Sequence, residues 1–328
     1  MIKKLFNIAR VLVAVGLCYY LLRKIDIRAS FDIMKQVNIW FFVLSIGLFF
    51  VFLLICNWRW QILLDAREMR FSFGYLLKVY FVSWFFNNIL PTTVGGDVLR
   101  IAYTVKNDPV TGKPRRSAAL AVTLVDRFIG FIGLFFFACI ASGLLYLAKS
   151  GKNQYLWFII IGLFVLLVIL LAMFSDRVHR IFSWIFTRIK FFNLGDKFER
   201  SYQEIKDFRN VKMQLVYSFL LSLLVQVSLA LVWFACAIGI SVKTSVLYYF
   251  LYIPVIGVIT MIPVTIGGLG LRENLFVSLF SAHGMTTAQA GAISLLYLIV
   301  NLIFALIGGI MFLFIKKETK KLVEGGIQ

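Results

Sequence analysis

Long apolar runs separated by short polar ones set the pattern of the chain. They fall at about Leu5 to Leu22, Ile39 to Trp58, Phe71 to Leu90, Ser117 to Ala148, Trp157 to Phe174, Met213 to Ile240, Tyr248 to Ile262 and Ala288 to Ile315. A helix rises about 1.5 Å per residue, so runs of this length suit a hydrocarbon core about 30 Å thick. Between them lie a polar loop, Arg59 to Arg70, and a basic loop, Lys106 to Arg116, interrupted by Pro109 and Pro114. Ser175 to Lys212 is the one sizeable polar stretch. Its mixture of apolar and basic residues around 181–192 predicts a helix lying in the headgroup plane.

Two of the apolar runs end in irregular, glycine-rich sequence. Pro91, Gly95, Gly96, Asp97 and Arg100 follow the third run, and Pro263, Gly267, Gly268, Gly270, Arg272 and Glu273 follow the seventh. The two stretches share one offset of 172 residues. In that register, 23 pairs running back to Lys78 and Phe250 contain seven identities, among them Tyr80/Tyr252, Pro91/Pro263, Gly95/Gly267, Gly96/Gly268 and Arg100/Arg272. A helix breaker, a glycine pair and an arginine recurring together indicate an internal duplication that builds one site from two halves.

Composition fixes the class. Of 328 residues, 61% are apolar and only 15% charged, and the mean hydropathy is +0.90. Soluble domains carry about 25% charged residues, so the pattern is that of a polytopic, all-α membrane protein forming a single domain over 1–328. The net charge of +19 does not point to nucleic acid, because the basic residues sit between spans, where the positive-inside rule places them. Cys18, Cys56, Cys139 and Cys236 are isolated in or at the ends of apolar runs, and His179 and His283 have no partner at ligand spacing. No metal site, histidine-based catalysis or cofactor is expected. The first apolar run lacks a small-residue cleavage site after it and is expected to be a retained span.

Charge placement decides the topology. If every apolar run crosses, Lys and Arg divide 12 inside to 17 outside, or the reverse when the chain is flipped. If 71–105 and 246–282 are instead re-entrant hairpins, six full spans remain and the division becomes 22 inside to 7 outside. The second arrangement obeys the positive-inside rule, with both termini and the 175–212 linker on the cytoplasmic side of the cell membrane. It also makes the hairpins open to opposite faces, as in transporters built from inverted repeats with broken helices. Irregular backbone at membrane depth must be buried in protein or line a cavity.

The motif suits anion binding. Pro91 and Pro263 end one half-helix, Gly95-Gly96 and Gly267-Gly268 permit a tight reversal, and the next half-helix begins with free N–H groups and a positive dipole end. Arg100 and Arg272 add guanidinium forks suited to phosphate. An arginine at the bilayer centre costs about 2.5–3.5 kcal/mol on insertion scales, so each needs a partner. That partner is either a lipid phosphate moving between leaflets or a carboxylate of Asp97, Asp126 or Glu273 that holds the hairpins, and both fit if they serve different states of a transport cycle. Asp126-Arg127, inside an apolar run, is expected to face the bundle interior as an interhelical ion pair or a gate. Asn87 and Asn88 are expected to satisfy freed backbone groups, Trp84, Phe85 and Phe86 to pack, and Gln226 and Asn301 to bond between helices.

The residues Pro91, Gly95, Gly96, Asp97 and Arg100, the group Asp126, Arg127 and Gly130, and the second set from Pro263 to Glu273 together resemble the flippase-like membrane family named for the transmembrane region of lysylphosphatidylglycerol synthase, the multiple peptide resistance factor. The resemblance covers nearly the whole chain. It implies a lipid flippase, whereas a separate soluble C-terminal domain of two-part relatives transfers lysine from lysyl-tRNA to phosphatidylglycerol. The chain runs about a dozen residues past its last span, and that synthetase domain is expected to be lacking.

The leading expectation is a translocase for a phosphate-bearing lipid: a phospholipid, an aminoacylated lipid or a polyprenyl-phosphate-linked one. Arg100, Arg272, Gly95, Gly96, Gly267 and Gly268 would bind the phosphate, while Pro91, Pro263, Asp97, Asp126, Arg127 and Glu273 would shape or gate the site. No nucleotide-binding loop of Walker type is visible, so ATP is not expected to drive it directly. The alternatives are a phosphatidylglycerol lysyltransferase and a membrane scaffold that partners a separate lipid-modifying enzyme.

Overall fold

The structure, a computed structural model, describes residues 27–89, 95–105, 115–148, 160–164, 167–168, 203–261 and 268–324. They are helical, with no strand among them. In chain order the helices are α1 (Ile27–Lys35), α2 (Ile39–Asp65), α3 (Phe73–Ile89), α4 (Gly95–Thr104), α5 (Arg116–Ala148), α6 (Lys212–Gly239), α7 (Val246–Met261), α8 (Leu271–Ser281) and α9 (Thr287–Glu324). The expected spans at Leu5–Leu22 and Trp157–Phe174 and the headgroup-plane helix around 181–192 fall wholly or mostly outside the described residues.

Among the described residues, four helices are long and apolar enough to cross a membrane: Ile39–Asp65, Arg116–Leu144, Lys212–Gly239 and Thr287–Ile315. Each matches an apolar run of the sequence. Asn38 starts α2 by accepting the Trp40 N–H at 3.0 Å. The helix does not stop at Trp58, however. It continues through Arg59 to Asp65, so the expected polar loop begins about two turns late. Its buried face runs through Phe49, Leu53, Cys56, Arg59, Trp60, Leu63 and Leu64, the spacing of one helical stripe. Large apolar side chains such as Trp40, Leu147 and Leu313 stay on the outside, as suits lipid contact.

The duplicated stretches form two matching helix pairs. α7 covers the positions equivalent to 74–89 in the shared register, almost the extent of α3. The Tyr75 hydroxyl, near the start of α3, donates to the Tyr103 carbonyl, near the end of α4, at 2.9 Å. α3 and α4 therefore run antiparallel. In the second pair the Tyr252 hydroxyl lies 3.1 Å from Nε2 of His283, just past α8, which gives the same sense.

The outer ends of the two pairs pack in different places. Around Tyr75 gather Trp60, Leu63, Leu64, Met69, Phe208 and Ile315, from the C-terminal ends of α2 and α9 and the segment before α6. Around Tyr248, Tyr249, Phe280 and Met285 gather residues from the opposite ends of these long helices. There Asn38 N–H donates to the Gly239 carbonyl at 2.8 Å and Ser30 to the Ala288 carbonyl at 3.1 Å. Trp233 joins the second pair to α9, stacking between Phe276 at 4.4 Å and Tyr297 at 4.1 Å. α9 reaches α3 closely because Gly308 lies against the Phe81 carbonyl, where a Cβ would collide with backbone.

Candidate functional site

The inner ends of the two helix pairs meet on one cavity of about 320 Å³. It is lined from α2 by Arg59, from α3 by Tyr80, Trp84, Asn87 and Asn88, and from α4 by Asp97 and Arg100. Asp126, Arg127 and Gly130 face it from α5, Gln226 from α6, Thr260 from α7, Arg272 from α8, and Tyr297 and Asn301 from α9. The two arginines of the duplicated motif thus open on a common space.

The equivalent glycines at the motif serve different ends. Gly96 lies inside the first turn of α4 with its Cα against α3, where a Cβ would strike the Ser83 carbonyl oxygen and come within 2.8 Å of the Asn87 side chain. Gly268 begins a turn, has φ +78°, and precedes Gly270 in the same conformation, which L side chains rarely adopt. Close approach requires the first glycine, and backbone conformation the second. Pro91, Pro263 and Gly267 lie outside the described residues.

Both helix starts find acceptors within the protein. The Gly96 N–H donates to Asn87 Oδ1 at 2.8 Å, as expected of an asparagine beside a helix break. The Gly270 N–H donates to Glu273 Oε2 at 2.7 Å. These two donors are therefore occupied rather than free for an anion.

Buried charges form a continuous network on the first side. Asp126, 1% exposed, accepts from Arg59 Nε at 2.7 Å through one oxygen and from Arg100 Nη2 at 2.8 Å through the other. Asp97 lies 3.5 Å from Arg100 Nη1 through one oxygen and bonds Arg127 Nε through the other. Arg59 also donates to the Ser222 hydroxyl at 2.8 Å, which ties α2 and α5 to α6. Gly130 leaves the room this needs, since a Cβ there would sit 3.3 Å from Arg59 Nη1. On the second side, Arg272 donates through Nε and Nη2 to Glu273 Oε1 at 3.0 and 2.9 Å.

Each motif arginine also lies over aromatic rings. The Arg100 guanidinium is 4.3 Å from the Trp60 ring centre and 5.1 Å from that of Tyr80, and Arg272 is 4.8 Å from that of Tyr297. Asn301 crosses from α9 to α3, accepting from Trp84 Nε1 at 2.8 Å and donating to Asn88 Oδ1 at 2.7 Å.

Of the residues singled out in the sequence, Arg100, Arg272, Asp97, Asp126 and Arg127 line the cavity, and Glu273 braces Arg272 from beside it. Arg59, Trp60 and Tyr297 were not singled out, and Tyr80 was noted only as an identity of the duplicated stretch. The three carboxylates proposed as alternative partners of the arginines are indeed bonded to them. Among the described residues, no group of three or more His, Cys, Asp or Glu could hold a metal ion.

The chain is similar to an UPF0104 membrane protein of Pyrococcus horikoshii, 26% identical over 336 residues that cover 96% of this chain and 98% of the relative. It is also similar to an UPF0104 membrane protein of Methanothermobacter thermautotrophicus, 26% identical over 275 residues and 75% of each chain. The family described as the lysylphosphatidylglycerol synthase TM region matches residues 7–309, both motif copies included, and the chain belongs to that family.

Proposed function

We propose that the chain is a lipid translocase of the cell membrane that passes a phosphate-bearing headgroup between leaflets through the cavity between the helix pairs. The observation that carries this reading is that Arg100 and Arg272, equivalent residues of a duplicated motif, line one cavity. In this reading α3–α4 and α7–α8 are re-entrant hairpins entering from opposite faces. The 10 and 11 residues of α4 and α8 reach only about 15–17 Å, well short of a hydrocarbon core. The four described spans join those at Leu5–Leu22 and Trp157–Phe174, with both termini cytoplasmic.

A lipid phosphate would enter a guanidinium shell already occupied by carboxylates, exchanging with one of them rather than filling an empty place. Exchange of this kind gives alternating states: the carboxylates hold the hairpins when the site is empty, and the phosphate replaces one when it is loaded. The acyl or polyprenyl tails remain in the bilayer, and no group is transferred.

The test is movement of labelled phospholipid in proteoliposomes. Wild-type protein is expected to equilibrate the label between leaflets, and Arg272→Gln and Arg100→Gln to slow it at least tenfold, with melting profiles checked in parallel. Variants that remain folded and move lipid at the wild-type rate would remove both arginines from the mechanism. Formation of aminoacylated lipid in cells that otherwise lack it, read by mass spectrometry, would instead make the protein a transferase.

A further inference from the structure

Among the described residues, Arg272 has no ion pair outside its own helix, and what another helix offers it is an aromatic ring, that of Tyr297. We infer that Tyr297 is the positioning residue of the second half-site, aiming the Arg272 guanidinium into the cavity. This inference rests on the translocase reading above, in which Arg272 meets the lipid phosphate.

Arg272 and Phe276 stand one turn apart on the same side of α8. Phe276 stacks on Trp233 of α6 at 4.4 Å and 24°, and Trp233 stacks on Tyr297 of α9 at 4.1 Å and 17°. The Arg272 guanidinium lies 4.8 Å from the Tyr297 ring centre. This series of contacts begins and ends on α8, with α6 and α9 supplying the rings between. All three rings are at most 4% exposed. Phe49 of α2 meets Tyr297 edge-on at 6.1 Å and 63°, so neighbours on two other helices fix the ring beneath Arg272.

Glu273 alone does not set the direction of the guanidinium. It accepts from Nε at 3.0 Å and Nη2 at 2.9 Å, but as the next residue on the same helix it turns with Arg272. Tyr297 belongs to another helix and supplies an external reference. A ring face attracts a guanidinium over a broad area, whereas a carboxylate demands hydrogen-bond geometry. The ring therefore aims Arg272 while letting it lean toward an arriving phosphate. Tyr297 also stands one turn before Asn301 on α9, and Asn301 bonds Trp84 and Asn88 of α3. One stretch of α9 thus registers the second arginine against the first helix pair, and both of its side chains line the cavity.

The experiment uses the full chain in proteoliposomes and has two readouts. Labelling of individual arginines by phenylglyoxal is followed by peptide mass spectrometry, and movement of labelled phosphatidylglycerol is followed alongside. Tyr297→Phe keeps the ring and is expected to stay within twofold of wild type in both. Tyr297→Leu and Tyr297→Met, two ring-free variants in case one fails to fold, are expected to label Arg272 at least fivefold faster. Labelling of Arg59 and Arg100 is expected to stay within twofold, and lipid movement to slow at least fivefold. In an Arg272→Gln background the same substitutions should slow movement no further. Unchanged labelling of Arg272 would overturn the positioning role. Faster labelling of all three arginines, which marks general loosening, would overturn it as well, as would slowing that multiplies with that of Arg272→Gln. Selective labelling of Arg272 in a protein that moves no phosphatidylglycerol would leave the positioning standing and remove translocation of that lipid.

Discussion

Asp126→Asn is the sharpest perturbation of the cavity, because it removes charge while nearly preserving shape. Asp126 bridges arginines of two other helices, Arg59 of α2 at 2.7 Å and Arg100 of α4 at 2.8 Å, and all three side chains are at most 8% exposed. At charge separations near 4 Å and an effective dielectric of about 20, each pair contributes about 4 kcal/mol of Coulomb attraction before desolvation. Most of that is offset by the cost of burying the charges, but deleting one partner leaves the desolvation uncompensated, a loss of about 3–5 kcal/mol. The assay is denaturant-titrated unfolding of the detergent-solubilised protein, followed by tryptophan emission. Arg59→Met/Asp126→Asn, which removes one cation together with the anion, should recover part of the loss, and with Arg59→Met alone it completes the cycle that measures the coupling. A loss below about 1 kcal/mol for Asp126→Asn would refute this reasoning, because it would mean that water in the cavity already screens both guanidiniums.

Two further predictions concern the backbone and the helix contacts around the cavity. Gly96→Ala is expected to destabilise the fold by about 1–3 kcal/mol, since the Ser83 carbonyl cannot move aside without bending α3. Gly268→Ala should cost about 1–2 kcal/mol for the left-handed conformation alone; unfolding titrations check both, and a neutral result for either removes its stated reason. Asn301→Leu breaks the bonds to Trp84 and Asn88 and should cost about 1–2 kcal/mol, given roughly 0.6 kcal/mol for an average bond between membrane helices; an unchanged unfolding midpoint would show that these groups find other partners.

Much of the architecture was legible because membrane spans announce themselves by length and hydropathy. α5, α6 and α9 lie where the apolar runs placed them, and the register of 172 residues anticipated that α7 would mirror α3. The asparagines also behaved as their chemistry suggested, Asn87 satisfying the Gly96 N–H and Asn301 crossing between helices. Arg59 was missed for a physical reason. An arginine that follows twenty apolar residues reads as the end of a span, yet here its charge is neutralised by Asp126 and the helix runs on to Asp65. One signal was present: Cys56, Arg59, Trp60 and Leu63 continue the stripe begun by Phe49 and Leu53. The free helix N-termini were overestimated because sequence spacing does not show that Asn87 and Glu273 fold back onto them. Tyr80 and Tyr297 could not be tied to the arginines without knowing which helices adjoin.

The duplication yields two arginines that are equivalent in sequence but not in attachment. Arg100 is held by Asp126 on another helix and by Asp97 on its own, and lies over Trp60 of α2. Arg272 is ion-paired only with the adjacent residue of its own helix, Glu273, among the described residues, and lies over Tyr297 of α9. Moving Arg100 relative to α5 must therefore break an interhelical ion pair, whereas α8 can carry Arg272 and Glu273 together as a unit. If the two pairs shift relative to each other during transport, this difference makes α7–α8 the element that moves at lower cost and α3–α4 the one anchored to the long helices. Asp126 has no counterpart beside the second pair among the described residues, and that single carboxylate distinguishes the two attachments.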